Sequence, residues 1–143
     1  MDDDAKAPVT VIIPYYNTPD TIERAIASIY NQTLPPQEVI LVDDGSSQPV
    51  PEEVRHRYPD VQVLRHDRNR WASAARNTGA RAASQPLISY LDSDDEWLPQ
   101  KLELQLDAWQ NLRGRICALG TRAFVHFVHE PIRAETLRPG RGG

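Results

Sequence analysis

The fold turns on residues 38–47, EVILVDDGSS. Glu38–Val42 is a short run rich in β-branched side chains, the composition of a buried strand. It passes directly into Asp43, Asp44, Gly45, Ser46 and Ser47. Aspartate, glycine and serine favour turns through local hydrogen bonding and positive φ, and one aspartate satisfies that reading. The second, Asp44, has acceptor capacity to spare. A strand-end carboxylate can accept from the N–H of a nucleobase, and a Gly-Ser turn lets a ligand approach the backbone.

The same pattern recurs on both sides. Val9–Ile13, bounded by Pro8 and Pro14, reads as a strand that ends in PYYN at 14–17. Asp20 as N-cap with Glu23 three residues on forms a capping box, with Thr18 before Pro19 as the rival helix start. Ile22, Ile26 and Ile29 then share one helical face, and Pro35 and Pro36 end the segment. Further on, a helix fits Glu52–Tyr58, a strand Val61–Arg65 and an alanine-rich helix Ala72–Ala83. A strand over Leu87–Leu91 opens into DSDDE, and Leu98, Leu102, Leu106 and Trp109 mark a last helix with Pro99 near its first turn. One or two strands are expected over Ile116–Val128.

Strands alternating with helices imply an α/β fold, a mostly parallel sheet with helices on both faces. The expected division is a flexible N-terminus over 1–7, a domain over 8–128 and a flexible tail over 129–143. Ligands of such sheets bind outside the carboxyl ends of the strands, where PYYN, DDGSS and DSDDE would meet.

Bulk properties narrow the function. A chain of 143 residues buries one core, and a net charge of −4 gives no electrostatic case for nucleic-acid or membrane binding. The single Cys117 excludes a disulfide framework within the chain and a multi-cysteine metal site. No apolar run is long enough to span a bilayer, and MDDDAKAP is acidic where a signal peptide is basic, so a cytoplasmic location is expected.

The acidic stretch Asp92, Asp94, Asp95 and Glu96 supports two readings. It is a solvated loop capping the next helix, whose dipole favours acids, or a hard-cation site. Three clustered carboxylates are costly without a cation, and Mg²⁺ or Mn²⁺ takes such oxygens, often sharing them with phosphates. An EF-hand count fits Asp92, Asp94, Glu96 and Glu103 but puts Trp97 where that loop needs glycine. Five arginines between Arg65 and Arg81 read as a solvated helix face, from which one or two could meet a diphosphate. His56, His66, His126 and His129 have no consistent metal-ligand spacing and read as structural or surface residues.

Taken together, VTVIIPYYN at 9–17, ASIYNQT at 27–33, EVILVDDGSS at 38–47, SAARNTGA at 73–80 and SYLDSDDEWLPQKLELQ at 89–105 resemble the amino-terminal half of a family 2 glycosyltransferase of the GT-A fold. The five segments keep the family's order across roughly residues 8–110. The resemblance implies a nucleotide-sugar donor, most often a UDP-sugar. It places the nucleotide on Pro14, Tyr16, Asn17, Asp43, Asp44 and Asp92, and a Mg²⁺ or Mn²⁺ ion on Asp92, Asp94 and Asp95. The reaction implied is inverting transfer to a glycan, lipid or protein acceptor.

Two departures accompany it. Trp71 stands where the family often has glycine or another small residue. After Trp109 nothing matches the half that supplies the acceptor site and the general base, so the expected chain is a truncated, donor-binding half with no assigned catalytic residue. Its open sheet edge suggests self-association or a partner chain. The alternatives are a non-catalytic nucleotide-sugar-binding module and, more distantly, a receiver-like signalling domain. A receiver carries its acid pair after the first strand, where this chain has PYYN.

Overall fold

The computed structural model describes residues 5–112 and Gly120. The strands expected over Ile116–Val128 and the tail over 129–143 lie outside those residues, apart from Gly120.

Eight elements alternate: β1 (Ala7–Tyr15), α1 (Ile22–Tyr30), β2 (Pro36–Asp43), α2 (Glu52–Arg57), β3 (Gln62–Arg65), α3 (Trp71–Ala82), β4 (Leu87–Tyr90) and α4 (Lys101–Asn111). The described strands form one parallel sheet in the order β3-β2-β1-β4. β1 therefore reverses the winding direction, and the carboxyl ends of β1, β2 and β4 surround a topological switch point.

The strand alternation sorts the core into two layers. Val9, Val11, Ile13 and Tyr15 of β1 join Val39 and Leu41 of β2 on one face, packed against Ile22, Ala25, Ile26 and Ile29 of α1, Val54 of α2 and Leu102 of α4. Ile40 and Val42 point to the opposite face and pack with Ala75 of α3. Helices thus cover both faces, as the alternating pattern predicts. Each fully buried aliphatic side chain contributes roughly 1.5–3 kcal/mol of transfer free energy.

Two prolines lie inside β1, a central strand among those described, where a missing N–H would normally break the ladder. The register explains why they are tolerated. Leu91 N donates to Ile12 O, so the even-numbered residues of β1 turn their backbone groups toward β4. The β4 pairing covers only Val9–Ile12, which leaves Pro8 and Pro14 beyond its two ends.

The capping box expected at Asp20 and Glu23 does not form. The N-cap is Thr21, with no side-chain capping bond. Its hydroxyl instead donates to Ser93 O at 2.9 Å, Thr18 and Ser93 hydroxyls meet at 2.7 Å, and Glu23 pairs with Arg57. The start of α1 is therefore tied to the acidic loop after β4. At its other end, buried Gln32 donates from Nε2 to Leu98 O at 2.8 Å and accepts from Leu102 N at 3.0 Å. That amide serves one of the orphan N–H groups at the start of α4. Leu98, expected on the helix, lies before it and is exposed.

Candidate functional site

A cleft of about 310 Å³ opens at the carboxyl edge of the sheet. Pro14 and Tyr16 line it from the end of β1, Asp44 from the end of β2, Asp92 and Asp94 from the loop after β4, and Arg76 from α3. The three polar clusters thus meet in space. Of the five arginines between Arg65 and Arg81, Arg76 lines the cleft.

Asn17, Asp43 and Asp95 do not line it. Asp43 is buried and its oxygens are engaged: Oδ1 accepts from Ser46 N at 2.9 Å and Oδ2 pairs with Arg65, which also donates to Ser46 O at 2.7 Å. Arg65 faces Asp43 in the β2–β3 register, so the pair closes two adjacent strand ends. Asn17, at φ +49°, accepts at Oδ1 from Ser47 Oγ at 3.2 Å and from Gln48 N at 2.9 Å. Both residues brace the turn. At its centre, Gly45 has φ +72°, and a Cβ there would stand 2.4 Å from the backbone carbon of Arg68. Only glycine fits that approach.

The braced turn fixes Asp44. The residue is 2% exposed, and its Oδ1 accepts from Arg70 N at 2.9 Å and from His66 Nδ1 at 2.6 Å. His66, itself buried, reaches Thr78 Oγ1 of α3 with Nε2 at 2.8 Å. Sequence spacing gave no reason to single out His66. Its one available signal is its place immediately after β3, where His66 N donates to Asp43 O.

The acidic loop is a tight turn, with Asp95 N donating to Asp92 O at 3.0 Å. Arg76 Nη2 donates to Asp92 Oδ1 at 2.7 Å. Burial, followed by the neighbouring charges of Asp94 and then Asp92, holds the Asp95 carboxyl above the usual aspartate range. Among the described residues no three acidic, histidine or cysteine side chains converge as a ligand set. Of the three carboxylates that line the cleft, Asp44 is tied to His66 and Arg70, which leaves two on the acidic loop, Asp92 and Asp94. That number suits Mg²⁺ or Mn²⁺ bound jointly with substrate phosphates better than a cage made of protein alone.

Two exposed aromatic residues, Tyr16 and Trp71, complete the cleft. Tyr16 is exposed, while Tyr15 is buried and donates from its hydroxyl to Gln48 O at 2.8 Å. Trp71 opens α3 with φ +72° and is 79% exposed. A bulky residue rarely adopts that backbone region, which glycine enters freely.

The sequence model described as glycosyl transferase family 2 matches residues 10–136. The chain belongs to that family. It is 37% identical over 100 residues to the Escherichia coli UDP-Glc:alpha-D-GlcNAc-diphosphoundecaprenol beta-1,3-glucosyltransferase WfgD, a match covering 68% of this chain and 39% of that one. Among solved structures, the mannosyltransferase PcManGT of Pyrobaculum calidifontis, in complex with GDP-Man and Mn2+, aligns with a TM-score of 0.58 and 30% identity over 66% of this chain and 29% of its own. S. aureus TarS 1-349 in complex with UDP aligns with a TM-score of 0.66 at 23% identity, covering 73% and 32%, and shows the shared fold. The GT-A-like architecture inferred for this family 2 chain agrees with these neighbours. The chain spans less than half the length of the first curated relatives it matches, between 15% and 41%. No described helix of this glycosyltransferase domain is long and apolar enough to cross a membrane.

Proposed function

We propose that this domain binds a nucleoside diphosphate sugar in the cleft, with Mg²⁺ or Mn²⁺, and presents it for inverting transfer to a hydroxyl of a glycan, lipid or protein. The observation that carries this reading is the meeting of Asp44, Arg76, Asp92 and Asp94 in one cleft of a family 2 chain. The named substrate of WfgD and the GDP-Man and Mn2+ bound to PcManGT lend it support.

Each group has a distinct task. Asp44 accepts the ring N–H of the base, and Tyr16 and Trp71 offer faces for the base or sugar to stack on. Arg76 keeps N–H groups beyond the one on Asp92, and its planar fork suits diphosphate oxygens. Asp92 and Asp94 would hold the cation together with those oxygens. The cation, when bound, supplies Lewis-acid stabilisation of the departing diphosphate.

Inverting transfer also needs a base beside the acceptor hydroxyl. In this reading Asp44 is committed to the nucleobase, and Asp92 and Asp94 to the cation and diphosphate. The family resemblance implies that this base accompanies the acceptor site, so none of these three residues is given the role. A second reading, a nucleotide-sugar-binding module without turnover, needs only the donor-binding groups named above.

Calorimetry with UDP and GDP, with and without Mn²⁺, tests the donor reading. Micromolar to millimolar binding that strengthens with Mn²⁺ is expected, along with its loss in Asp92→Asn/Asp94→Asn. Unchanged affinity in the double variant overturns the assignment. Release of nucleoside diphosphate from a UDP- or GDP-sugar during long incubation separates transferase from module.

A further inference from the structure

The proposed donor site leaves one buried side chain without a role. His66 is 8% exposed and bridges Asp44 Oδ1 to Thr78 Oγ1, joining the end of β3 to α3. Asp44 Oδ1 takes two donors, His66 Nδ1 and Arg70 N, which fill the two lone pairs of that oxygen. Oδ2 has no partner among the described residues, yet no fully buried side-chain oxygen or nitrogen there lacks one. Asp44 lines the cleft, and Oδ2 is the oxygen that its partners among the described residues leave available to it.

We propose that His66 is a positioning residue for base recognition. By occupying Asp44 Oδ1 it turns Oδ2 into the cleft as a fixed acceptor, so the site selects bases with a ring N–H, such as uracil or guanine, over adenine. The inference rests on the donor reading above and concerns which base that site accepts.

The chemistry follows from the inventory of lone pairs. An ionised carboxylate is an acceptor only, so His66 Nδ1 must donate to it. In the neutral ring Nε2 then accepts from the Thr78 hydroxyl, and the tautomer is fixed by its two partners. A carboxylate anchored through Oδ1 by two donors presents Oδ2 as a fixed acceptor. Uracil N3–H and guanine N1–H meet Oδ2 with a charge-assisted hydrogen bond. The ring nitrogens of adenine bear lone pairs, which such an oxygen repels. A buried acceptor left unpaired by the wrong base carries a desolvation cost, the usual source of strong discrimination.

The test compares UDP with ADP by calorimetry at a fixed Mn²⁺ concentration, using the 143-residue chain. The two ligands share ribose and diphosphate, so ADP reports on everything except the base. In the unmodified protein UDP binds more tightly. His66→Phe fills the same space without a donor, and UDP affinity is expected to fall about tenfold while ADP stays within about twofold. His66→Asn returns an N–H near the Nδ1 position and is expected to restore most of the UDP preference. Equal losses for UDP and ADP in His66→Phe overturn the proposal, as does His66→Asn behaving like His66→Phe.

If His66→Phe does not fold, Thr78→Val decides. It frees the far side of the ring, and a UDP-specific loss of about threefold supports the role. Equal change in both ligands rejects it. An unmodified chain that binds neither nucleotide overturns the donor reading and this inference together. Mn²⁺-dependent UDP binding with an unaltered UDP:ADP ratio in the His66 variants overturns this inference alone.

Discussion

Arg76 donates to Asp92 at 2.7 Å from one wall of the cleft to another. Their side chains are 35% and 48% exposed, so the pair contributes less than about 1 kcal/mol to stability. Its value lies in holding a carboxylate and a guanidinium where a diphosphate and its cation would lie. Arg76→Met is expected to leave the urea midpoint nearly unchanged while weakening UDP affinity about tenfold. Arg76→Lys should recover only part of that loss, because an ammonium lacks the planar fork. A large fall in urea midpoint, with affinity kept, would mean that the pair serves the fold instead.

Gly45 carries the opposite expectation. Its φ of +72° and the 2.4 Å approach of Arg68 leave no room for a methyl group, and the obstruction is backbone rather than a movable side chain. Gly45→Ala should destabilise the chain by more than about 2 kcal/mol. It should also weaken nucleotide binding, because the turn sets Asp44 against the cleft. Chemical denaturation measures the first effect. A change below about 0.5 kcal/mol would show that the loop holding Arg68 yields easily.

The sheet, the helices on both faces and the meeting of PYYN, DDGSS and DSDDE were legible in the sequence, because strand composition and turn chemistry are local. What the side chains do after they meet was less so. Asp43 and Asn17 look like ligands, yet their oxygens accept from Ser46, Ser47 and Gln48. Asp20 and Glu23 carry a capping signature, but Thr21 donates instead to a loop 72 positions away. His66 is invisible by spacing, since its partners, Asp44 and Thr78, lie 22 and 12 residues away in sequence. Such long-range hydrogen bonds depend on strand register, and no local propensity encodes that.

Trp71 sets stability against binding. It holds φ +72° at the start of α3 while its ring is 79% exposed, so the strained backbone is offset by little burial. Trp71→Gly relieves the strain, and a gain of about 0.5–1 kcal/mol is expected in denaturation. The same change removes an aromatic face from the cleft. UDP affinity should fall by roughly 1 kcal/mol or more, the scale of one base–aromatic stack. Stability and affinity moving in opposite directions would mark Trp71 as a residue kept for its ligand. Loss of both would mean that the ring packs on the protein more closely than its exposure indicates.

Lys101 makes stability depend on alkaline pH. Its ammonium lies 3.8 Å over the Trp97 ring, with hydrogen bonds to Ser89 Oγ at 3.3 Å and Gln105 Oε1 at 2.8 Å. Burial pushes its pKa down to about 8, against an ordinary value near 10.5. Below about pH 8 the group is charged in both states, and the folded state alone bears the desolvation cost. Between about 8 and 10 the folded chain has released a proton that the unfolded chain keeps, so stability rises with pH. The slope should approach about 1.4 kcal/mol per pH unit. Beyond about 10 the trend reverses, because burial also raises Tyr15 and Tyr30 and the unfolded chain then loses those protons first. Urea unfolding at pH 7, 8.5 and 9.5 measures the rise. In Lys101→Met the rise should vanish, leaving a chain at least as stable at pH 7, because an apolar group of similar length fills the same space. A native chain with no gain between pH 8 and 9.5 would show that water reaches the ammonium.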